Sequence, residues 1–400
     1  MASEWKQIPI IECIDLIGGG TPKTSVAEYW DGDILWLSVK DFNNDYRHVY
    51  STEKHITEAG LNNSSTKLLQ KDDIIISARG TVGEMAMIPF PMAFNQSCYG
   101  IRAKDGINST FLYYLLKNSI SKLKLMTHGS VFDTITRDTF ATLIVGIPDK
   151  KTQDAIAATL AAIDDKIELN NKINDNLEQQ LRAIFMERFT NNPALESIQQ
   201  VPLSELCSVV TKGTTPTTLG KPFVDRGINF LKAESILDNH SLDKGKFAHI
   251  DEETHDMLKR SVIYAGDIVF TIAGTLGRFA LIDSDILPAN TNQAVAIIRA
   301  DKGRISPEYL YACFIGNWHN DYYSKRVQQA VQANLSLTTI KSLPIPVLTQ
   351  DEMVSYMALT SPIIRMLKQN EMENERLAAL RDTLLLRLMS GEIDVSDIDI

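Results

Sequence analysis

The feature that most restricts the fold of this 400-residue chain is an internal duplication. Short motifs of the first half return in the same order in the second half, first 194 and then 197 positions later. Seven such pairs in one order indicate two copies of one structural unit, which are expected to share a fold. The pairs are TPK at Thr21 and TPT at Thr215, ILWLSVKD at Ile34 and INFLKAES at Ile228, Asp73-Ile74 and Asp267-Ile268, Gly80 and Gly274, Asn95-Gln96 and Asn292-Gln293, IRA at Ile101 and at Ile298, and Gln153-Asp154 and Gln350-Asp351.

Each copy has two parts with different patterns. The first part mixes short β-type runs such as DILWLSV and DDIIISA with brief helical runs, separated by turn signals such as GGGTP, which is typical of an α+β domain. The second part has apolar residues at heptad spacing, and no glycine or proline lies between Thr152 and Thr190. This pattern predicts one long helix of roughly 55 Å. The predicted division is a domain over 1–150, a helix within 151–199, a second domain over 200–346, and a second helix with a tail over 347–400.

The two helical segments have matching apolar seams, which favours an antiparallel coiled coil between them. The expected fold is α+β, with two similar globular domains joined by two long antiparallel helices and related by a pseudo-twofold axis. The alternative is that each seam faces the core of its own globular domain. The predicted seam residues are Ile156, Leu160, Ile163, Ile167, Asn170, Asn174, Leu177, Leu181, Ile184, Leu367, Asn370, Asn374, Leu377 and Leu384.

Two features of the seams lead to specific predictions. Polar residues at seam positions set the register of paired helices at some cost in stability, so Asn170 and Asn174 are expected to meet Asn370 and Asn374. These asparagines match at a separation of 200, whereas the start of the helix matches at 197, which suggests three inserted residues around Pro362. Proline removes a helical hydrogen bond, and an insertion of three overwinds a coiled coil. A kink or break is therefore predicted near Pro362.

The composition is that of an ordinary globular protein, with 44% hydrophobic and 22% charged residues. No apolar run reaches the ~18 residues of a membrane span, and the N-terminus lacks a signal-peptide core. Four cysteines without a CxxC pair favour a reducing compartment, so we expect a cytoplasmic protein without disulfides or a metal site. The net charge of −10 falls mostly on the helical segments, so the near-neutral domains can carry local basic faces.

The repeated motifs GTVG and GTLG, each of which follows an apolar run, resemble a phosphate-binding loop. A nucleotide site rarely needs two copies, so the glycines are expected instead to shape a tight connection between two strands. IGGGTP at Ile17 also resembles a cofactor loop, but no clear strand-to-helix unit surrounds it. Two related domains on a rigid spacer suit a ligand that repeats along a line, such as duplex DNA.

Candidate DNA contacts are the polar and basic residues of the domain loops. Arginine can bind guanine or phosphate, asparagine and glutamine can read adenine, and lysine can hold phosphate. The Asn-Gln pair recurs in both copies, so a role in capping a turn is favoured, because domains that read different sequences should differ at their base contacts. The glutamine-rich segment KRVQQAVQANLS and its counterpart THGSVFDTIT do differ. The candidates are Thr21, Lys23, Lys40, Arg79, Thr81, Asn95, Gln96 and Ser130 in the first domain, and Lys212, Thr215, Lys232, Thr275, Arg278, Asn292, Gln293, Lys325, Arg326 and Gln332 in the second. For Arg79 and Arg278, a solvated surface position is an equally open alternative.

The chain resembles the specificity subunits of type I restriction–modification systems in GGGTPKTSVAEYWDGDILWLSVKDF, ARGTVGEMAMI, FNQS, IPDKKTQDAIAATL and LLLRLMSGEI. The resemblance covers essentially the whole chain, although the second copy lacks the Tyr-Trp-x-Gly-Asp form. It implies two target-recognition domains that read a bipartite, asymmetric DNA site, with helical spacers and no catalytic site or cofactor in this chain. It also implies three partners: double-stranded DNA, two methylation subunits that use S-adenosylmethionine, and restriction subunits bound through the complex.

An enzyme is the main rival class. A methyltransferase would need an N/D-P-P-Y/F motif, which the sequence lacks. A nuclease site built on Asp149, Asp164 and Lys166 would need these residues to converge on a metal ion. A coiled-coil scaffold protein, or a solitary DNA-binding protein without methyltransferase partners, is a further alternative.

Overall fold

The chain divides into two compact units. The first consists of residues 1–170 and 373–400, and the second of residues 171–372. The predicted domain borders do not coincide with these units, because each long helix contributes one half to each unit. The computed structural model describes residues 5–44, 46–127, 134–190, 198–318, 322–323 and 334–395.

In the first unit, two four-stranded sheets and one two-stranded sheet alternate with helices. The strands are β1 (Lys6–Pro9), β2 (Ile14–Gly18), β3 (Trp30–Leu37), β4 (Lys54–Ile56), β5 (Leu68–Leu69), β6 (Ile74–Ser77), β7 (Met85–Met87), β8 (Met92–Phe94), β9 (Cys98–Ala103) and β10 (Ile144–Ile147). The helices are α1 (Val39–Phe42), α2 (Glu58–Asn62), α3 (Ser109–Thr127), α4 (Arg137–Thr142) and the first half of α5 (Lys150–Phe189).

The two four-stranded sheets of this unit have the orders β2-β9-β6-β7 and β4-β3-β8-β5, while β1 pairs with β10. Neighbouring strands are antiparallel except β3 and β8, which are parallel. The run Ile74–Ile76 is buried on both faces, as its continuous apolar sequence requires. Ile75 belongs to the same buried cluster as Leu37 of the other sheet, whereas Ile74 belongs to the buried cluster that contains Phe111 of α3.

The second unit repeats this architecture, with sheets in the orders β12-β19-β16-β17, β14-β13-β18-β15 and β11-β20. The predicted α+β duplication is therefore confirmed. Its elements are β11 (Gln199–Pro202), α6 (Leu203–Leu206), β12 (Cys207–Lys212), β13 (Ile228–Leu231), β14 (Ala248–Ile250), α7 (Glu252–Met257), β15 (Val262–Ile263), β16 (Ile268–Thr271), β17 (Phe279–Leu281), β18 (Ala289–Thr291), β19 (Val295–Ala300), α8 (Pro307–Ile315), α9 (Leu337–Lys341), β20 (Pro344–Val347) and α10 (Gln350–Met389).

Within the first unit, the first half of α5 pairs with the second half of α10. Asn170 Nδ2 donates to Asn374 Oδ1 at 2.9 Å, and Arg381 Nη1 donates to Asp164 Oδ1 at 2.9 Å. As the residue number rises along α5, the number of the partner residue on α10 falls. The two segments are antiparallel, as the seams predicted.

Within the second unit, the second half of α5 pairs with the first half of α10 in the same sense. Asn370 Nδ2 donates to Asn174 Oδ1 at 2.7 Å, and Arg188 forms an ion pair with Glu352. The predicted meeting of the asparagines is therefore confirmed in both units.

Many seam residues also belong to the cores of the domains. Ile156 and Leu160 join the buried cluster that contains Phe111, and Leu177 and Leu181 join the corresponding cluster of the second unit. Both predictions for the seams are therefore correct in part: the seams pair with each other, and they also pack on the domain cores. One wide apolar stripe on each helix faces the partner helix and the domain core together. Among the other apolar seam residues, Ile163 and Leu367 are buried, and Ile167, Ile184, Leu377 and Leu384 are half-buried.

The sequence predicts a kink or a break near Pro362. A break is wrong, because α10 continues through this residue without interruption, and a kink stays a prediction. Both long helices have 40 residues and begin 200 positions apart, so no residues are inserted inside the helix. Gln350 starts its helix and therefore does not correspond to Gln153, and the three-residue shift lies before the helices. A proline inside a helix costs about 3 kcal/mol. Burial of several apolar side chains of α10, each contributing about 1.5–3 kcal/mol, offsets that cost.

The asparagine pairs lead to a test of their energetic role. Replacing Asn170 alone by leucine should lower the free energy of unfolding by about 1–3 kcal/mol, because Asn374 and Glu373 lose a hydrogen-bond partner. Replacing Asn170 and Asn374 together by leucine should recover this loss, since an apolar contact then fills the seam. Urea unfolding of both single variants and the double variant measures the coupling. A double variant less stable than either single variant would contradict this role.

Glu178 makes the stability of the second unit depend on pH. Burial raises the pKa of Glu178 from 4.5 to about 7, and the charges of Asp175 and Glu371 add to this rise while Arg182 opposes it. The folded protein therefore binds more protons than the unfolded chain between these two pH values, so stability should fall as the pH rises through this interval. Glu178→Gln should stabilise the protein at pH 8 and change little at pH 4. Urea midpoints across this range test it, with the exposed Glu187→Gln as control.

Candidate nucleic-acid interface

The loops that carry most of the candidate contacts of the first unit converge at one edge of the sheet β2-β9-β6-β7. Gly18 lies opposite Tyr99, and Ser77 lies opposite Cys98, so the end of β2, the start of β9 and the end of β6 are neighbours. We call residues 18–23, 78–83 and 95–97 together the first loop edge.

Close backbone contacts hold the first loop edge together. Gly20 N donates to Phe94 O at 3.0 Å, and Ala78 N donates to Ser97 O at 2.8 Å. A Cβ atom on Gly19 would lie 2.1 Å from a backbone oxygen of the turn that follows β8. The glycine-rich GGGTP motif is therefore explained by this close approach of two chain segments.

The second unit has the same arrangement, which we call the second loop edge, at residues 212–217, 272–277 and 292–294. Thr214 N donates to Thr291 O at 3.2 Å, and Ile272 N donates to Ala294 O at 2.8 Å. A Cβ atom on Gly213 would lie 1.9 Å from Thr291 O, so this glycine has the same role as Gly19.

The GTVG and GTLG motifs form the tips of two hairpins, β6–β7 and β16–β17. Gly80 and Gly83 have φ values of 78° and 92°, and Gly274 and Gly277 have values of 78° and 85°. Such left-handed conformations favour glycine. The predicted tight strand–loop–strand connection is confirmed, and the glycines serve the turn itself.

The recurring Asn-Gln pairs make the same hydrogen bonds in both units. Asn95 Oδ1 accepts from Ser97 N at 3.0 Å, and Asn292 Oδ1 accepts from Ala294 N at 3.1 Å. Each following glutamine bonds the threonine of the glycine-rich loop, in the pairs Thr21–Gln96 and Thr215–Gln293. These bonds support the interpretation that the pairs shape the loop edges, and their contact with DNA stays a prediction.

An ion pair between a buried aspartate and a partly exposed arginine joins neighbouring strands in each of the sheets that carry a loop edge. Asp73 accepts two hydrogen bonds from Arg102, at 2.8 and 2.6 Å, and Asp267 accepts two from Arg299, both at 2.7 Å. Both aspartates are buried, and such two-point, charge-assisted contacts fix geometry as well as energy. All four residues lie within repeated motifs of the sequence, which is the signal that could have identified the pairs.

The nuclease alternative finds no support in the placement of its residues. Asp149 precedes α5 and accepts a hydrogen bond from Thr152 N at 3.0 Å. Asp164 lies 15 residues further on, about 22 Å along the helix axis, so the two carboxylates do not converge. Across the described ranges, no group of three or more His, Cys, Asp and Glu side chains could hold a metal ion.

None of the helices that the structure describes is both long and apolar enough to cross a membrane.

The profile of a known family matches both copies of the repeat. It is described as the type I restriction modification DNA specificity domain, and it matches residues 2–179 and 196–370. The chain belongs to this family.

Individual relatives agree with the family assignment. The type I restriction enzyme MjaIX specificity subunit of Methanocaldococcus jannaschii is 25% identical over 416 aligned residues, which cover 99% of this chain and 95% of the relative. The EcoR124I/EcoR124II specificity subunit of Escherichia coli is 29% identical over 186 residues, 44% of each chain. A crystal structure of the S subunit of a type I restriction–modification system from M. genitalium covers 96% of both chains with a TM-score of 0.53 and 17% identity, a likeness in fold. The chain is a specificity subunit with two target-recognition domains, and not a catalytic subunit.

Two of the candidate arginines of this specificity subunit, Arg79 and Arg278, have different surroundings. Arg79 is exposed and makes no hydrogen bond or ion pair with any residue that the structure describes. Arg278 donates two hydrogen bonds to Asp238, both at 2.6 Å, and a third to Ile236 O at 3.2 Å. Arg79 is thus available to a ligand, whereas Arg278 would first have to leave its carboxylate.

The candidate lysines also differ in their surroundings. Lys23 is exposed, and Lys212 is half-buried at the end of β12. Lys40 lies 3.9 Å from a carboxylate oxygen of Glu53, and Lys232 lies 3.7 Å from one of Glu234. Thr81 and Thr275 are exposed at the hairpin tips.

Four candidates, Ser130, Lys325, Arg326 and Gln332, lie outside the described residues. The described residues that follow their segments lie at the loop edges. Ile135 N donates to Ala78 O, and Leu335 N donates to Ile272 O, both at 3.0 Å.

Arg260 is a candidate that the sequence interpretation missed. It is exposed, and its Nη2 donates to Thr214 Oγ1 of the second loop edge at 3.3 Å. Thr66 occupies the equivalent position 194 residues earlier and bonds Phe94 O at 2.7 Å. The basic dipeptide Lys259-Arg260, set against an uncharged residue in the other copy, is the signal that could have identified it.

The different surroundings of the two arginines predict different effects on stability. Arg79→Ala should change the free energy of unfolding by less than about 0.5 kcal/mol, as expected for an exposed residue without partners. Arg278→Ala should lower it by up to about 1 kcal/mol, because Asp238 loses its ion-pair partner. Urea unfolding of both variants measures the difference, and an equal effect of the two changes would contradict the assignment.

Proposed function

We propose that this specificity subunit reads a bipartite, asymmetric DNA sequence, with one target-recognition domain for each half-site. Residues 1–150 and 200–346 form the two recognition domains in this proposal, and the two 40-residue helices act as the spacer. The observation that carries the proposal is the pair of loop edges. They have the same backbone scaffold and different exposed side chains, which is what two readers of different base sequences require.

The two loop edges differ in the positions of their arginines. Arg79 of the first edge has Ala273 as its counterpart 194 residues later, and Arg260 beside the second edge has Thr66. Arginine contacts guanine through two parallel hydrogen bonds in the major groove or binds phosphate. We therefore propose that Arg79 contributes to the first half-site and Arg260 to the second.

We further propose that two methylation subunits dock on the long helices and supply S-adenosylmethionine and its chemistry, with restriction subunits bound through them. Single exposed apolar side chains are common on protein surfaces, and a larger number of them on one element favours a protein interface. The long helices carry eight such side chains among the described residues, six of them on α10, which supports the proposal. The exposed apolar residues are Val354, Leu359, Met366, Met372, Leu380 and Leu386 on α10, and Leu169 and Met186 on α5.

The complete complex allows a direct test of DNA recognition. The chain is expressed together with methylation subunits of a type I system, and sequencing of modified bases in the host DNA identifies the methylated site. Fluorescence anisotropy then compares duplexes with the intact site, the first half-site scrambled, or the second half-site scrambled. The intact site should bind at least about 10³-fold more tightly than random duplex. Equal affinity for all duplexes would favour the scaffold alternative, and specific binding by the chain alone would favour a solitary DNA-binding protein.

Single variants within this complex test the two arginines. Arg79→Ala should reduce discrimination at the first half-site by about 1–3 kcal/mol per lost base contact, while discrimination at the second half-site stays unchanged. Arg260→Ala should do the reverse. A pure phosphate contact would instead weaken binding to all duplexes and reduce the salt slope by about 0.9. Arg79→Lys is the matched control, because it keeps the charge and loses the two-point contact.

A further inference from the structure

The helix pairs of the two units are equivalent in the repeat but differ in their buried charges. The first unit has Asp164 on α5 facing Arg381 on α10, with 3% and 2% of these residues exposed. The equivalent residues, 200 positions away, are Ile364 on α10 and Leu181 on α5. These two residues are buried in one apolar cluster of the second unit. A charged pair in one unit thus replaces an apolar pair in the other.

The carboxylate of Asp164 is fully engaged in the first unit. One oxygen accepts a hydrogen bond from Arg381 Nη1 at 2.9 Å, and the other accepts one from Tyr114 OH at 2.5 Å. Burial, together with the charge of Asp164, raises the pKa of Tyr114, so the phenol stays a donor. Ala312 takes the place of Tyr114 in the second unit when α3 and α8 are aligned by their capping residues. The tyrosine that donates a hydrogen bond to Asp164 is therefore present only in the unit that has the buried charge.

Two further ion pairs between α5 and α10, both partly exposed, are also present in only one of the two units. Each one has uncharged residues at the equivalent positions of the other unit. They are Lys166–Glu373 at 3.4 Å in the first unit, whose counterparts are Met366 and Ile173, and Arg188–Glu352 in the second unit, whose counterparts are Leu388 and Thr152.

The asparagine pairs do not distinguish the two helices. Asn170 and Asn174 of α5 correspond to Asn370 and Asn374 of α10 at the same separation of 200. Two copies of α5 in antiparallel register would therefore present Asn170 to Asn174 of the other copy, in the same contact that α10 makes. The asparagines set the register, and the choice of partner must come from other residues.

We propose that the buried Asp164–Arg381 pair makes α5 select α10 and reject a second copy of α5. An antiparallel pair of two α5 helices would place Asp164 against Leu181 of the other copy, and a pair of two α10 helices would place Arg381 against Ile364. The pair of α5 helices leaves the buried Asp164 carboxylate without its counter-charge, which is strongly unfavourable. The pair of α10 helices leaves the buried Arg381 with only the exposed Asp382 of its own helix as an ion-pair partner, at 2.8 Å, which is also unfavourable. The interaction that is disfavoured in this way is pairing with the same helix of a second copy of this chain.

The selection has a consequence for recognition that rests on the proposed function. When α5 pairs only with α10, the two non-identical recognition domains always belong to one reader, so the DNA site is asymmetric. Pairing of identical helices would combine identical domains and produce a symmetric reader. The pairing itself can be measured without DNA, so its failure and a failure of DNA recognition are distinguishable.

The test uses full-length protein with a protease site placed between residues 190 and 198. The folded protein is cleaved, dissociated in urea and refolded, and native mass spectrometry measures the ratio of mixed pairs to pairs of identical fragments. Wild type should return as mixed pairs. Asp164→Ile should shift the N-terminal fragment towards pairs with itself, and Arg381→Leu should do the same for the C-terminal fragment. Each ratio should fall at least about tenfold, which corresponds to 1.4 kcal/mol.

The double variant Asp164→Ile/Arg381→Leu should refold into both kinds of pair, since no buried charge then opposes either one. Gln179→Ile/Ala379→Leu is the matched control, because it adds similar apolar groups at exposed positions of the same helices and should leave the wild-type ratio unchanged. Wild-type ratios in all three test variants would overturn the proposal.

A second measurement avoids refolding. Uncleaved chains with two different affinity tags are co-expressed, and mixed-tag dimers are captured and quantified. Asp164→Ile should increase this fraction at least about tenfold over wild type, whereas Gln179→Ile/Ala379→Leu should not. An unchanged fraction for Asp164→Ile would overturn the proposal independently of the fragment experiment.

Discussion

The shared burial of the helix seams is the interaction on which both units depend. Ile156 and Leu160 face the first domain core, while Leu385 and Leu388 from the other end of the chain complete the same cluster. A domain that keeps part of its core on distant helices is incomplete until those helices arrive. The boundary between recognition domain and spacer is therefore a boundary in sequence and not in packing, which explains why the compact units cut through both helices.

The loop edges separate the residues that maintain the fold from those free to vary. Gly19 and Gly213 are required by backbone contacts that are the same in both units, as are the left-handed glycines of the hairpins. The cations around this scaffold are not the same, since Arg79 is exposed and Arg278 is engaged by Asp238. A duplicated scaffold can in this way carry two different recognition surfaces without any change in how it folds.

Buried polar groups provide specificity in this protein more than stability. Replacement of a buried ion pair by apolar residues is often neutral or stabilising, and Leu181 with Ile364 shows that this fold accepts the apolar solution. The retention of Asp164 and Arg381 in the first unit is thus better explained by selection of a partner helix. The asparagines have a comparable role, because their mutual hydrogen bonds are satisfied in only one register.

The sequence by itself determined the duplication, the α+β class, the two long helices, the meeting of the asparagines and the glycine hairpins. These follow from periodicity and from local backbone geometry, which neighbouring residues specify. Only the tertiary structure decided that α10 continues through Pro362, that Asp238 engages Arg278 across 40 residues of sequence, that Arg260 reaches the second loop edge, and that Asp164 is buried. Each of these depends on contacts between distant segments, whose energies outweigh local preferences and leave no period in the sequence.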